Sequence, residues 1–289
     1  MVRFGPSGNE DTFYNEKHKH SFEAPKWLSE KGLSAYEVSF GRGFIMGDET
    51  AKKIGEEGRK YNVLISAHAP YYINLANPNE EMIQKSFWYF ERGLELLSEL
   101  GGTDYVVHLG SCGKLDRKTA LELIKKNLKR VIDILKEKDL LGNGIRICPE
   151  TMGKPQQIGT YEEIIDLCTL DECLVPTFDF GHINALTGGS LKSYEDYKKI
   201  LDLAYHKLGE RAKTCHIHFS KIEYGAKGEI RHLDFDDEVY GPEFKPLARV
   251  IKDMGFTPTI ISESKSRMMT DSLIMKNIYD RVCNDNKNN

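Results

Sequence analysis

Short apolar runs recur along almost the whole chain and alternate with longer amphipathic stretches. The runs are rich in Val, Ile, Phe or Tyr, and most end in a polar or Gly-containing loop, which is typical of buried parallel strands. They span residues 2–5, 36–40, 63–67, 104–108, 145–150, 175–179, 213–219 and 257–263. The pattern therefore predicts eight strands.

The segments between these runs carry apolar residues at three- and four-residue steps, the spacing of one helix face. In the clearest segment, 78–100, Asn77 and Pro78 form a helix-start signal and Gly101 follows the last turn. Further helices are predicted over 24–31, 48–61, 116–137, 161–167, 193–208, 242–252 and 271–282.

Strand and helix thus alternate about eight times, without a Pro/Gly/Ser-rich linker or a sharp change in composition. A doubly wound sheet is disfavoured, because no Gly-rich dinucleotide fingerprint follows the first strand. The expected fold is a single α/β domain over residues 1–289, a (β/α)8 TIM barrel, with a disordered tail at 284–289.

Composition and charge narrow the class of protein. The 289 residues, 40% of them hydrophobic, suffice for one barrel. The net charge of −4 gives no indication of nucleic-acid binding. Phosphate contacts would then need a local basic rim or bound cations. The six cysteines form no CxxC pair, the N-terminus lacks a signal-peptide stretch, and no apolar run reaches the roughly 20 residues of a membrane span. We expect a cytoplasmic monomer without membrane contact.

Histidines and carboxylates stand where the predicted strands end. Catalytic residues of such barrels lie at the C-terminal ends of the strands, so these side chains should meet at one rim. They are His68, His108, Glu150, Asp179, His182, His216 and Glu263.

Each of these residues alone has a structural alternative, such as a hydrogen-bonded histidine, a salt-bridged glutamate or a helix-capping aspartate. Their joint occurrence is most simply explained by bound metal, and mixed imidazole and carboxylate donors favour Zn²⁺, Mn²⁺ or Fe²⁺ over Ca²⁺ or Mg²⁺. Because the donors exceed the needs of one ion, we expect at least two ions.

The motifs around these residues resemble those of the endonuclease IV family, the zinc-dependent apurinic/apyrimidinic endonucleases. The resemblance runs from about residue 68 to 263. His68 lies in HAPYYINL, His108 in HLGS, Glu150 in ETMG, Asp179 and His182 in DFGH, His216 in HIHFSK, and Glu263 ends the eighth strand.

This resemblance implies three zinc ions and cleavage of the phosphodiester 5′ to abasic sites in DNA, a step of DNA repair. The first ion would be held by His68, His108 and Glu150, the second by Glu150, Asp179, His216 and Glu263, and the third by His182 and His232. Catalysis would involve Glu150, Glu263 and His182. The DNA would be contacted by Arg42, Tyr71, Tyr72 and Asn74.

Two positions depart from the family pattern. Ile230 stands where an aspartate usually precedes His232, so that Glu229 would have to substitute and the ion count is two or three. The family's Asn-Asp after the seventh-strand histidine is replaced by His218 and Phe219, so either His216 or His218 could be the ligand. The following Ser-Lys match favours His216. Mn²⁺ could replace zinc.

Three other functions remain open. A sugar isomerase or epimerase would need one divalent ion, for which Glu150, Asp179, His216 and Glu263 suffice, and the other histidines would be surplus. The other two functions are a non-catalytic nucleic-acid-binding barrel and a metal-dependent hydrolase of a small substrate.

Overall fold

Eight parallel strands form a closed barrel in the computed structural model, which describes residues 1–285. The ten strands within these described residues are β1 Arg3–Pro6, β2 Ala35–Ser39, β3 Leu64–His68, β4 Asp104–Val107, β5 Arg146–Pro149, β6 Thr177–Asp179, β7 His216–Phe219, β8 Lys221–Gly225, β9 Gly228–Leu233 and β10 Thr259–Ser262.

The barrel strands pair in the orders β1-β10-β7-β6 and β2-β3-β4-β5. Parallel bridges between Ser7 and Glu37 and between Glu150 and Thr177 join the two halves. Each barrel strand overlaps a predicted one, and the predicted (β/α)8 barrel is confirmed.

Helices surround the strands. They are α1 Asp11–Asn15, α2 Ala24–Glu30, α3 Asp48–Tyr61, α4 Glu80–Glu99, α5 Arg117–Glu137, α6 Tyr161–Cys168, α7 Phe180–Leu186, α8 Tyr194–Leu208, α9 Phe244–Asp253 and α10 Met268–Asn284, with short 3-10 helices at Ser21–Glu23 and Gly209–Thr214. Within residues 1–285, none of these helices combines the length and the apolar character needed to cross a bilayer.

Some helix ends differ from the sequence-based expectation. The first turn of α4 is capped by Asn79, whose side chain accepts the backbone N–H groups of Glu81 and Met82, so the helix begins later than the Asn77-Pro78 signal predicts. Helix α10 continues to Asn284, inside the segment expected to be a tail. The rest of that expected tail, 286–289, lies outside the described residues.

The antiparallel pair β8–β9 was not predicted. It follows β7 directly, and its partly exposed polar residues lack the apolar run that marks the barrel strands. Because it leaves the C-terminal end of β7, this hairpin lies at the rim where the candidate metal ligands were expected. It carries Glu229 and His232.

The outward and inward faces of the barrel strands lie in different environments. Their outward faces pack against helices through aromatic contacts, such as Tyr105 with Phe90 and Phe180 with Phe178 and Tyr197. Several side chains inside the barrel are instead polar and almost fully buried, namely Glu37, Ser66, Asp104, Glu150, Thr177, Asp179, His216 and His218. Barrels of this type are normally filled by Val, Ile and Leu. Since buried charges persist only when compensated, this interior is organised around polar contacts.

We expect Gly93→Ala to lower the free energy of unfolding by about 1–3 kcal/mol, because the added methyl group has no room. A Cβ at Gly93, on the inner face of α4, would lie 2.0 Å from the hydroxyl oxygen of Tyr105. That hydroxyl donates a hydrogen bond of 2.9 Å to the carbonyl of Tyr89. Urea unfolding measures the change.

Ser98→Ala on the exposed face of the same helix is the control, with an expected change within about 0.5 kcal/mol. Alanine is intrinsically favoured over glycine in helices by roughly 1 kcal/mol, so a stabilised Gly93→Ala variant would contradict the close packing described here.

Candidate metal centre

The carboxylate of Glu150 is the centre of the rim cluster. It directly follows β5 and is fully buried. Its Oε2 lies 3.0 Å from Nε2 of His68 and 2.9 Å from Nε2 of His108. Its Oε1 lies 3.1 Å from Nδ1 of His218 and 3.4 Å from Nδ1 of His182. Four imidazoles, from β3, β7, the residue after β4 and the start of α7, therefore surround one carboxylate.

These contacts shift the protonation of both partners. Burial alone would raise the pKa of Glu150, but His218 and His108 hold that pKa well below its usual value. Burial would lower the pKa of His68, yet its hydrogen bond to Glu150 raises that pKa to about 9. The pKa of His182 is likewise raised well above its usual value by Asp179 and Glu150, against the effect of burial. The cluster thus favours positive charge beside its carboxylates.

The rim donors fall into three groups, and the donor atoms of each group lie within 4.8 Å of one another. The groups are His68, His108 and Glu150; then Glu150, Asp179, His218 and Glu263; then Asp179, His182 and His232. Glu150 is common to the first and second groups, and Asp179 to the second and third. We call them the first, second and third donor groups.

Asp179 provides a direct test of whether these residues fit a metal ion. Its Oδ1 accepts the backbone N–H of His182 at 2.6 Å. Its Oδ2 is buried and has no hydrogen-bond partner among residues 1–285. A buried carboxylate oxygen without a partner is costly, and a cation between Asp179, His218 and Glu263 would satisfy it. Mixed nitrogen and oxygen donors at this spacing fit a divalent transition metal.

Two histidines are also held in a tautomer suited to metal binding. Nδ1 of His68 lies 2.8 Å from the carbonyl oxygen of Ala69, and Nδ1 of His182 lies 2.9 Å from that of Thr151. Because a carbonyl can only accept, each Nδ1 carries a proton, which leaves Nε2 of a neutral ring free as a ligand.

The structure places His218, not His216, in the second donor group. Both face the barrel interior, but His218 is paired with Asp179 of β6, whereas His216 is paired with Thr177, one layer further from the rim. The side chain of His216 contacts Glu37 at 2.9 Å instead. The preference for His216, based on the spacing to Ser-Lys, is therefore not supported by its position.

The third donor group combines α7 with the hairpin. The side chain of Ile230 is 56% exposed, and because it is aliphatic it offers no donor atom for a metal ion. Oε2 of Glu229 lies 3.6 Å from Nε2 of His182, but Asp179 rather than Glu229 completes the group. Glycine at position 153 makes room for this approach, since a Cβ there would lie 2.7 Å from Cβ of Glu229.

A cavity of about 450 Å³ opens above the donors. Tyr71, Tyr72 and Asn74 line it, and the two tyrosines are 62% and 57% exposed. The side-chain oxygen of Asn74 accepts the backbone N–H of Ala76 at 3.1 Å, so it also holds the loop. Arg42 is exposed and lines a neighbouring groove with Tyr71 rather than this cavity.

Sequence reasoning missed two buried carboxylates. Glu37 lies in the middle of β2, and Asp104 begins β4; neither belongs to a recognised motif. Asp104 pairs with Arg146 at 2.8 and 2.9 Å and lies 3.3 Å from His216. The available signal was a single charged residue, Glu37, on the inward face of an otherwise uncharged strand.

Comparison with known proteins gives related sequences of two kinds. The chain is 33% identical over 277 residues to an uncharacterised protein of Methanocaldococcus jannaschii, covering 96% of each. It is 28% identical over 219 residues to a protein of Staphylococcus epidermidis named "Probable endonuclease 4", covering 70% of this chain and 69% of that one.

Solved structures share the fold at lower identity. A D-tagatose 3-epimerase-like protein superposes with a TM-score of 0.69 at 22% identity, covering 90% of this chain and 93% of that one. Endonuclease IV from Thermus thermophilus superposes with a TM-score of 0.65 at 18% identity, covering 91% and 94%. Residues 25–278 match the family described as xylose isomerase-like TIM barrel. The chain therefore belongs to the xylose isomerase-like TIM barrel family.

Proposed function

We propose that this protein is a metal-dependent phosphodiester hydrolase of the endonuclease IV type, which cuts DNA 5′ to abasic sites with two or three zinc ions. The observation that carries the proposal is the set of three donor groups joined by Glu150 and Asp179. The groups contain more imidazole donors than chemistry at one ion requires. Related sequences named endonuclease 4 agree with this assignment.

In this proposal each donor group holds one ion, so that His218 takes the place expected for His216, and Glu229 adjoins the third ion. Bound zinc supplies positive charge for the phosphate oxygens and lowers the pKa of the attacking water. The protein residues position these partners. The carbonyls of Ala69 and Thr151 fix the rings of His68 and His182.

The two glutamates have different roles here. Glu150 is fully buried among four imidazoles and cannot reach a substrate. Glu263 is 18% exposed at its side chain and lines the cavity. It is the carboxylate placed to orient water and accept its proton. His182 also lines the cavity and is assigned to the leaving oxygen.

The mouth of the cavity suits a DNA strand that lacks a base. Tyr71 and Tyr72 are exposed aromatic side chains beside the donors, where they can stack in the gap left by the missing base. Because the net charge of the chain is −4, bound cations rather than the protein surface would provide most of the attraction for phosphate.

One observation favours a second candidate. The second donor group, Glu150, Asp179, His218 and Glu263, would by itself hold a single divalent ion, as a sugar isomerase or epimerase would need. Proton transfer by both glutamates would require Glu150 to reach the substrate, which its burial prevents. In that chemistry the paired imidazoles His68 and His108 would have no role as ligands, which is why the nuclease is preferred.

Incision of abasic DNA tests the proposal against this alternative. We expect zinc-loaded protein to cut an end-labelled duplex 5′ to its abasic site and to leave the undamaged duplex intact. Glu263→Gln should reduce incision by roughly 100-fold or more, because the proton acceptor and a donor of the second group are lost together. Glu81→Gln, at an exposed position of α4, is the matched control and should keep full activity. One bound ion per chain, no incision and epimerisation of a ketose would establish the epimerase instead.

Zinc content distinguishes the two histidines of β7. We expect His218→Gln to lose about one ion per chain, because a donor of the second group is removed. His216→Gln should keep the zinc content of the wild type at saturating metal. Elemental analysis after dialysis measures both, and circular dichroism verifies the fold. The reverse result would assign the ligand to His216.

Zinc binding should release protons near neutral pH. In the metal-free protein the pKa of His68 is raised to about 9 by Glu150, so at pH 7.5 this ring is mostly protonated and must lose a proton to bind zinc. Zinc affinity should therefore rise with pH up to about 9. Calorimetric titration in buffers of different ionisation enthalpy measures the released protons, and identical heats in all buffers would contradict this prediction.

A further inference from the structure

We propose that Glu37 is a positioning residue for His218. It accepts the proton on Nε2 of His218, and the lone pair on Nδ1 is thereby directed at the second donor group. The inference rests on the proposed metal centre. It assigns a role to a buried residue that lies outside the three donor groups.

The two nitrogens of His218 face different carboxylates. Nε2 lies 3.0 Å from Oε1 of Glu37. Nδ1 lies 3.1 Å from Oε1 of Glu150 and 3.4 Å from Oε1 of Glu263, in the second donor group. A neutral imidazole carries one proton. A cation in the second group would take Nδ1, and the proton would then remain on Nε2, opposite Glu37.

Within residues 1–285, Oε1 of Glu37 and Nε2 of His218 have only each other as potential hydrogen-bond partners. The pair lies off the ideal hydrogen-bond direction, and among residues 1–285 neither Oε1 of Glu37 nor Nε2 of His218 has a hydrogen-bond partner. Both side chains are fully buried. A small rotation of the ring would complete the bond, and ligation of Nδ1 would select that orientation.

The second oxygen of Glu37 is held by a chain of contacts along the barrel axis. Ser66 donates to Oε2 at 3.0 Å, and Nε2 of His216 lies 2.9 Å from it. Nδ1 of His216 lies 3.3 Å from Oδ2 of Asp104, which pairs with Arg146. Five strands, β2 to β5 and β7, contribute to this chain. Glu37 is therefore fixed by its surroundings before any metal binds.

Glu37, His216 and His218 also bring donor atoms within 4.8 Å of one another. All three side chains are fully buried, and Oε2 of Glu37 already has Ser66 and His216 as partners. We therefore assign Glu37 to His218 rather than to a further ion. Glu37 thus acts through His218 and does not itself touch metal or substrate.

Cobalt and zinc binding to two variants tests the role. Glu37→Leu removes the acceptor, and we expect one ion to bind 10–100-fold more weakly in chelator competition, the range typical for partners of metal ligands. Glu37→Gln keeps the shape and an acceptor oxygen and should recover most of that affinity. The visible spectrum of the cobalt in the second group should change in Glu37→Leu, while an ion in the first group keeps its affinity.

Glu10→Gln is the matched control. Glu10 is also a buried glutamate, but it accepts the backbone N–H of Met269 at 2.9 Å at the start of α10. Its loss should lower the unfolding temperature and leave metal affinity and the cobalt spectrum unchanged.

Nitrogen-15 NMR of the histidine rings in the zinc-loaded wild type provides a test that needs no folded variant. Zinc on Nδ1 and a proton on Nε2 of His218 are expected. Zinc on Nε2 would overturn the proposal and place an ion against Glu37, and so would wild-type metal affinity in Glu37→Leu. A wild-type protein that binds metal but does not cut abasic DNA would refute the proposed nuclease and not the role of Glu37. A wild-type protein that binds no metal would refute both.

Discussion

A carboxylate with no access to water, that of Glu150, governs the arrangement of the rim. A buried negative charge is tolerated only when positive charge or several donors surround it. The protein meets this demand with four imidazoles at the rim. The raised pKa values of His68, His182 and His218 show how strongly the site favours positive charge. Metal ions would supply that charge without protonating the ligands.

The barrel separates the source of its stability from the source of its chemistry. The layer between strands and helices is apolar and closely packed, as shown by Tyr105 beneath Gly93. The interior is polar where barrels usually hold branched apolar residues. Polar contacts from Arg146 to Glu150 replace hydrophobic packing there. The outer layer supplies the hydrophobic burial that stabilises the fold. The interior can therefore be specialised for holding ligands.

The fold and most of the rim could be predicted because both depend on local sequence. Apolar runs end at His68, His108, Glu150 and Glu263, and a strand end in this fold is a position at the rim. The layer of a residue inside the barrel is different, since it depends on the register between strands distant in sequence. Spacing alone could not rank two histidines that share one face of β7.

Other features escaped prediction for related physical reasons. Glu37 lies within a strand rather than at its end, so its partners His216 and His218 become apparent only when the barrel closes. The β8–β9 hairpin is partly exposed and has no strong apolar alternation. Asn79 rather than Asn77 caps α4. Both asparagines precede the helix, so the sequence offers two capping residues and only the backbone geometry decides between them.

The hairpin has a consequence for how proteins on this scaffold could diversify. It supplies Glu229 and His232 from a two-stranded sheet that pairs with none of the eight barrel strands. Replacement of this one insertion would change the third donor group while the barrel and the other two donor groups stay intact. On this scaffold the third donor group depends on a short module outside the barrel, and evolution could add or remove that module without rebuilding the core.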